Sequence, residues 1–276
     1  MEELPVVQIG GLKVDGIQPV FILGPCVIES EAFVWDMARR LKAIADELGV
    51  RWIFKASYDK ANRTAISSYR GLGCEAGCKI LGDIGAELGV PVTTDVHTAE
   101  EAIAAAQHID LLQLPAFLCR QTDLIVAAGQ TGRAVNVKKG QFLAPWDVKN
   151  IGNKLISVGC KNFVFTERGT TFGYNNLVAD MRSLYWMREL GYRVCFDATH
   201  SVQRPGGQGT TTGGDGKLAP VLARAAVATG VDMVFIETHI DPSKAFSDGP
   251  NQIPLAALAA LLQQLTQIHE ITRMAA

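Results

Sequence analysis

Short apolar runs alternate with longer amphipathic segments along the 276 residues of the chain. The runs are rich in β-branched residues and end in polar ones, which is typical of buried strands in a parallel sheet. The predicted strands are Val20–Pro25, Trp52–Ser57, Pro91–Val96, Leu111–Pro115, Ala134–Lys138, Asn162–Glu167, Arg193–Ala198 and Met233–Thr238. Each is followed by a segment of helix length, so the pattern predicts repeated strand–helix units.

The connecting segments carry the three-to-four-residue periodicity of amphipathic helices. The clearest helices are predicted over Ala32–Leu48, Glu75–Leu88, Asn176–Leu190, Leu218–Thr229 and Leu255–Met274. Several segments end at glycine, which readily takes the left-handed conformation of a helix C-terminus. These glycines are Gly49, Gly89, Gly159, Gly191 and Gly230.

The eight strand–helix units and the length of the chain predict an α/β fold, a closed (β/α)8 TIM barrel that forms one domain over residues 1–276. An open doubly wound sheet is the alternative fold. It would favour a G-x-G-x-x-G turn after the first strand, and Gly24-Pro25-Cys26 does not fit that pattern.

Two segments do not follow the strand–helix repeat, and the sequence predicts a hairpin for one and a loop for the other. Residues 1–16 hold two short apolar runs, Val6–Ile9 and Leu12–Val14, around Gly10-Gly11. This pattern predicts an N-terminal β-hairpin that caps the bottom of the barrel. Residues 203–217 contain six glycines and predict a mobile loop after the seventh strand.

The composition narrows the class of protein. A net charge of −2 argues against nucleic acid or an anionic membrane as the main partner. The chain has no apolar run of about 18 residues, and the acidic start Met1–Pro5 does not resemble a signal peptide. Six scattered cysteines are typical of a reduced protein, so we expect a cytoplasmic location.

In a barrel of this kind, chemistry is expected where the strands end. Every predicted strand brings a polar or ionisable residue to this rim. In chain order they are Cys26, Lys55 and Ser57, Asp95, Gln113, Asn136 and Lys138, Arg168, Asp197 and His200, and Glu237 and His239. Burying so many polar groups would cost several kcal/mol each unless they were paired or ligated, so the whole set predicts a functional site.

Two chemical subsets stand out at the rim. The first consists of the cations Lys55, Lys60, Arg63, Arg120, Lys138 and Arg168, which together predict binding of more than one phosphate or carboxylate group. The second consists of Cys26, His200, Glu237 and Asp248, whose donors suit a divalent transition metal. Their spacing is not a compact metal motif, and a free cysteine is more often a small buried apolar residue.

The remaining cysteines and histidines give no further site. Cys74 and Cys78 share a helical face and are interpreted as packing, as are Cys119, Cys160 and Cys195. His97, His108 and His269 are interpreted as structural or exposed, and the role of His239 stays open. The chain also has no G-x-S-x-G, H-E-x-x-H or P-loop pattern.

Seven further motifs follow one another in order along nearly the whole chain. They are Gly24-Pro25-Cys26-Val27-Ile28-Glu29-Ser30, Lys55–Thr64, Gln113–Asp123, Asn136–Gln141, Thr166–Gly169, Asp197–Gln203 and Ser247-Asp248-Gly249. Together they resemble the motifs of the 3-deoxy-D-manno-octulosonate 8-phosphate synthases. The resemblance implies a (β/α)8 barrel, usually a homotetramer, that condenses phosphoenolpyruvate with D-arabinose 5-phosphate and releases phosphate. It also implies a transferase of lipopolysaccharide or plant cell-wall polymer biosynthesis.

The resemblance assigns roles to individual positions. It implies that phosphoenolpyruvate is held by Lys55, Ser57, Lys60, Gln113, Ala116, Lys138 and Arg168. It implies that Asn62 and Arg63 bind the sugar near its phosphate, that Arg120 reaches across from a neighbouring subunit, and that Asp95 lies near the reacting groups. Members with cysteine after Gly-Pro are metal-dependent, so Cys26 implies a divalent metal (zinc, iron, manganese or cobalt) held by Cys26, His200, Glu237 and Asp248.

Several points stay open at the level of sequence. His200, Asp248 and Lys60 are all candidates for the catalytic acid or base. A related condensation with erythrose 4-phosphate is the first alternative function; its enzymes carry a Lys-Pro-Arg-Thr-type run where this chain has Lys60-Ala61-Asn62-Arg63-Thr64. A non-catalytic barrel that binds metal or phosphate is the second alternative.

Overall fold

A computed structural model of the chain describes residues 4–204 and 213–274. Within these residues a parallel sheet of eight strands closes on itself, since the seventh strand pairs with the eighth and the eighth with the first. The strands are β1 (Val20–Gly24), β2 (Arg51–Lys55), β3 (Val92–Asp95), β4 (Leu111–Leu114), β5 (Ala134–Lys138), β6 (Phe163–Glu167), β7 (Val194–Asp197) and β8 (Met233–His239). The (β/α)8 barrel predicted from the strand pattern is confirmed, and the open sheet is excluded.

One helix follows each strand and packs on the outside of the barrel. The helices are α1 (Glu31–Leu48), α2 (Cys74–Leu88), α3 (Ala99–Ala105), α4 (Thr122–Gln130), α5 (Val148–Ser157), α6 (Met181–Glu189), α7 (Ala219–Ala228) and α8 (Leu255–Met274). Helix α1 begins where the Ser30 side chain accepts a hydrogen bond from the Phe33 N–H, and it ends at Gly49, whose φ is 63°. Its inner face buries Val34, Met37 and Leu41.

The predicted helix over Asn176–Leu190 is wrong at its start. Leu177–Val178 is a short strand that pairs with Thr170–Thr171, and α6 begins only after Asp180. The Asp180 carboxylate accepts a hydrogen bond from the Arg182 N–H and so caps the helix. Most predicted strands also continue one or two residues beyond the last paired residue. Element ends depend on hydrogen bonding that apolar periodicity does not report.

The N-terminal hairpin closes the bottom of the barrel, as predicted. Val7–Ile9 pairs antiparallel with Leu12–Val14 through a turn at Gly10-Gly11. Its buried side chains, Val7, Ile9 and Val14, join one apolar cluster with the first residues of several barrel strands, among them Val20 and Leu111. Because this end of the barrel is sealed by apolar contacts, the opposite rim is the open one.

Shorter elements complete the rim. Gln203–Arg204 pairs with Gly213–Gly214, and Ile253–Pro254 pairs with the end of β8. Of the loop predicted to be mobile, residues 205–212 lie outside the described residues. Within the described part of the chain, no helix has the length and apolar character needed to cross a membrane.

Candidate active site

A cleft of about 1030 Å³ opens at the carboxyl ends of the strands. Its walls include ten of the predicted site residues. These are Lys55, Lys60, Asn62, Arg63, Asp95, Ala116, Lys138, Arg168, His200 and Asp248. Cys26, Ser57, Gln113 and Glu237 are fully buried and do not line the cleft. The structure therefore brings fourteen of the fifteen predicted residues to one region, in the walls or in the interior of the barrel.

Arg120 is the exception. It is exposed, does not line the cleft of its own chain, and its carbonyl oxygen accepts a hydrogen bond from Lys154 Nζ. The role implied for Arg120 at a neighbouring subunit stays a prediction.

Buried lysines at the rim are paired with carboxylates. Lys55 Nζ donates to Glu237 Oε1 at 2.6 Å and to the Cys26 carbonyl oxygen at 2.9 Å. Lys138 Nζ donates to Asp197 Oδ2 at 2.6 Å. Pairing offsets the cost of burying each charge and fixes the ammonium groups in the cleft wall.

Arg168 is buried, and only one of its two terminal guanidinium nitrogens has a hydrogen-bond partner among the described residues. Its Nη2 donates to Gln203 Oε1 at 2.5 Å, whereas its Nη1 has no hydrogen-bond partner among the described residues. A buried guanidinium nitrogen without a partner is costly, so it favours an anionic ligand at this point of the cleft.

Lys60 lies among acidic groups. Burial by itself would lower the pKa of Lys60, but the surrounding acidic groups, Glu237 and Asp95 among them, raise it above its usual range. Its Nζ lies 4.0 Å from Glu237 Oε1. Lys60 is therefore a cation at neutral pH, suited to bind charge or donate a proton rather than to act as a base.

A group of metal-type donors lies at the base of the cleft. The ligand atoms of Cys26, Glu237 and Asp248 lie within 4.8 Å of one another. His200 Nε2 lies 3.5 Å from Glu237 Oε2 and 4.0 Å from Asp248 Oδ2, which adds a fourth donor. Glu237 Oε2 is buried and has no hydrogen-bond partner among the described residues. This unpaired oxygen, in a cluster of thiol, imidazole and carboxylates, fits a divalent transition metal.

Asp197 orients the imidazole of His200. Its Oδ2 lies 2.8 Å from His200 Nδ1, and its Oδ1 accepts the His200 backbone N–H at 2.9 Å. With Nδ1 held in this way, Nε2 is directed toward Glu237 and Asp248, an arrangement typical of metal-binding histidines. The sequence placed Asp197 on the rim but assigned it no role, because its partnership with His200 depends on a turn at the end of β7.

Burial and nearby charges shift the pKa values of two other members of the cluster, Cys26 and Glu237. Burial raises the pKa of the Cys26 thiol, and the charge of Glu237 raises it further. These two effects outweigh the opposing charges of Lys60 and Lys55, so the thiol stays protonated unless a metal ion binds it. Its Sγ lies 3.2 Å from Asp248 Oδ2. Burial alone would raise the pKa of Glu237, but His200 and the neighbouring lysines lower it to about 2. Glu237 is thus ionised at neutral pH.

Arg63 joins two loops of the cleft. Its Nη1 donates to Ser247 Oγ at 2.8 Å and its Nη2 to the Phe246 carbonyl oxygen at 3.2 Å, in the loop that carries Asp248. Asn62, beside it, is exposed in the cleft wall. Arg63 therefore contacts the residue next to Asp248 of the metal-type cluster, and Asn62 lines the same cleft.

His97, interpreted as a structural or exposed residue, is partly buried and paired with a carboxylate. It lines the cleft, and its Nδ1 lies 3.0 Å from Glu101 Oε2, four residues further along the chain. The His97-x-x-x-Glu101 spacing, across the start of α3, was the signal available in the sequence. His239, whose role was open, lies 3.3 Å from Glu29 Oε1 and outside the cleft wall.

Comparison with known proteins identifies relatives over nearly the whole chain. The model of the DAHP synthetase I family matches residues 6–273. A 2-dehydro-3-deoxyphosphooctonate aldolase from Trichlorobacter lovleyi is 55% identical over 96% of this chain and 98% of its own length. Proteins of the same name from Geobacter sulfurreducens and a Synechococcus species are 53% and 55% identical, over 97% and 93% of this chain and 98% and 90% of their own lengths.

Proposed function

The chain belongs to the DAHP synthetase I family, and we propose that it condenses phosphoenolpyruvate with D-arabinose 5-phosphate and water. The products are 3-deoxy-D-manno-octulosonate 8-phosphate and inorganic phosphate. The observation that carries the proposal is the cleft in which buried cations face a cluster of metal-type donors. The shared name of the relatives and the sequence motifs support the same reaction.

In this reaction carbon 3 of phosphoenolpyruvate attacks the sugar aldehyde, water adds to carbon 2, and phosphate leaves from carbon 2. We assign the anionic groups of phosphoenolpyruvate to Lys60, Lys138 and Arg168, whose charged ends surround the cleft. The unpaired Nη1 of Arg168 supports this assignment. Fixed cations stabilise the charge that develops during the addition because they need no reorganisation.

Proton transfer is assigned to groups already in the cleft. Lys60, held protonated by its acidic neighbours, can donate a proton to the oxygen of the former aldehyde. His200 and Asp248 are better suited to binding a metal, since their donor atoms face each other at 4.0 Å. This division of roles selects Lys60 from the three candidates.

A divalent metal would be held by Cys26, His200, Glu237 and Asp248, the residues whose donor atoms converge at the base of the cleft. When bound, it would offset the carboxylate charge there and act as a Lewis acid toward an oxygen of the sugar. Asp197 would keep His200 in the correct orientation.

The experiment measures phosphate release from phosphoenolpyruvate. Arabinose 5-phosphate and erythrose 4-phosphate are offered in parallel, each before and after thorough chelation. We expect turnover with the five-carbon sugar only, lost on chelation and restored by a divalent metal. Turnover with the four-carbon sugar, the alternative in keeping with the description of the family model, would contradict the choice of substrate. Activity that survives chelation would contradict the metal.

We also propose that the chain forms a homo-oligomer, with Arg120 acting at a neighbouring barrel. Large aromatic side chains are exposed on neighbouring rim loops: Phe117, Phe142, Trp146, Phe172 and Tyr174. Exposed apolar patches of this kind favour association. Sedimentation should show a tetramer; a monomer with full activity would contradict the proposal.

A further inference from the structure

A row of polar side chains crosses the inside of the barrel beneath the cleft. Thr166 Oγ1 donates to Asn136 Oδ1 at 2.6 Å, and Asn136 Nδ2 donates to Gln113 Oε1 at 3.0 Å. Gln113 Nε2 donates to Asp95 Oδ1 at 2.5 Å, and Ser57 Oγ donates to Asp95 Oδ2 at 2.5 Å. The row thus joins β6, β5, β4 and β3 and ends on one carboxylate.

Strand register and burial fix the positions of the residues in the row. Asp95 lies opposite Gln113, and Gln113 lies opposite Asn136. Thr166, Asn136, Gln113 and Ser57 are 0% exposed, and of the five residues only Asp95 lines the cleft. Both polar atoms of the Gln113 side chain are bonded within the row, which leaves Gln113 as a link to Asp95.

The charge of Asp95 sets which atom donates and which accepts in each hydrogen bond of the row. Burial alone would raise the pKa of Asp95, but the nearby lysines Lys60, Lys55 and Lys138 hold it well below its usual range. An ionised carboxylate only accepts hydrogen bonds, so Gln113 must present its amide nitrogen to Asp95. Its oxygen then faces the nitrogen of Asn136, whose own oxygen needs the Thr166 hydroxyl as a donor.

We propose that Thr166 and Asn136 are positioning residues that act through Gln113 to hold Asp95 against a hydroxyl group of the sugar phosphate. The inference rests on the proposed function and deepens it. Phosphoenolpyruvate carries no hydroxyl group on carbon, so among the two substrates the sugar supplies the donors that a carboxylate can accept. Asp95 is thereby a contact for the sugar, and the row behind it fixes where that contact lies.

The substitution Thr166→Val keeps the shape of the side chain and removes its donor. We expect it to raise KM for arabinose 5-phosphate about tenfold, near the worth of one buried hydrogen bond, and to leave KM for phosphoenolpyruvate unchanged. Thr166→Ser keeps the hydroxyl and should restore the wild-type value. Thr93→Val is the matched control: Thr93 is equally buried on β3, but its Oγ1 donates to the Leu111 carbonyl oxygen at 2.7 Å, outside the row.

A double-substitution cycle tests whether the effect passes through Asp95. In an Asp95→Asn background, Thr166→Val should add little to the loss, because the group it positions is already changed. Fully additive effects, or equal changes in Thr166→Val and Thr93→Val, would overturn the inference.

The outcomes for the row and for the reaction can be separated. A wild-type chain that releases no phosphate would contradict the proposed function. Titration calorimetry then measures the effect of the row on the binding of arabinose 5-phosphate, without turnover. Weaker binding in Thr166→Val than in Thr93→Val would support the row, whereas equal binding in both, or no binding to the wild-type chain, would overturn it.

Discussion

At the scale of single residues, this enzyme depends on polar atoms that are buried where bulk water cannot satisfy them. Glu237 Oε2 and Arg168 Nη1 are both buried without hydrogen-bond partners among the described residues. Such atoms cost free energy in the absence of a ligand, so they mark where a metal ion and an anion would bind. The two atoms therefore distinguish the proposed metal-binding region from the proposed anion-binding region.

Substitution of Cys26 tests, at the scale of one residue, whether its thiol holds a metal ion. The substitution Cys26→Ser replaces a strong thiolate ligand by a hydroxyl, so we expect the bound metal per chain to fall by at least about tenfold at a fixed free-metal concentration. Metal content after dialysis is the measurement.

The control for that substitution is Cys160→Ser. Cys160 is also free and buried, but it lies between α5 and β6, and it is not among the converging donors. Its loss should leave metal content unchanged. An unchanged content in Cys26→Ser would contradict the assignment of Cys26 as a ligand.

At the scale of elements, strand packing fixes the position of the metal-type donors. The end of β1 approaches β2 so closely that a Cβ atom on Gly24 would lie 1.7 Å from the Lys55 carbonyl oxygen. Gly24 also lies opposite Glu237 on β8 and two residues before Cys26. A backbone without a side chain at this point lets β1 approach both β2 and β8, which brings Cys26 close to Glu237.

The substitution Gly24→Ala should therefore destabilise the protein strongly. Since the contact is with backbone, which cannot move aside as a side chain does, we expect a loss of about 3 kcal/mol or more in the free energy of unfolding. Denaturant unfolding measures it. Gly11→Ala is the control, because a Cβ atom there meets nothing within 4 Å. Similar stability of the two variants would contradict the close approach.

At the scale of the whole molecule, α8 connects the last strand to the N-terminal segment. His269 Nε2 lies 3.3 Å from the Ile17 carbonyl oxygen, and Arg273 Nη1 donates to the same oxygen at 2.8 Å. His269 is buried, and its Nδ1 has no hydrogen-bond partner among the described residues. The last part of α8 thus contacts the segment between the hairpin and β1.

This contact predicts a pH dependence of stability. Burial lowers the pKa of His269 below its usual value of 6.5, although the Ile17 carbonyl opposes that shift. Between the lowered pKa and 6.5, the unfolded chain binds more protons than the folded one, so stability falls as the pH falls through this window. His269→Gln should reduce that loss, measured as unfolding midpoints between pH 7.5 and about 5. The exposed His108→Gln is the control, and identical pH profiles for His269→Gln and wild type would contradict the prediction.

The sequence by itself determined the repeat of strands and helices, the closed barrel, the hairpin and the rim on which the polar residues lie. These follow from apolar periodicity and glycine positions, which are local properties of a chain. The seven motifs also indicate the family, in agreement with the family model that matches residues 6–273. The sequence failed locally at the start of α6, where the Asp180 cap and a two-strand turn replaced the predicted helix.

Only the tertiary structure decided which rim residues work together. Lys55 and Glu237 are 182 residues apart in the chain, yet their charged atoms lie 2.6 Å apart. Gln113, interpreted as a substrate contact, has both side-chain polar atoms bonded inside the barrel. Periodicity states which face a side chain occupies, but it does not state the distance to a partner on another strand. Barrel closure and strand register set those distances, and with them the charge and orientation of each group.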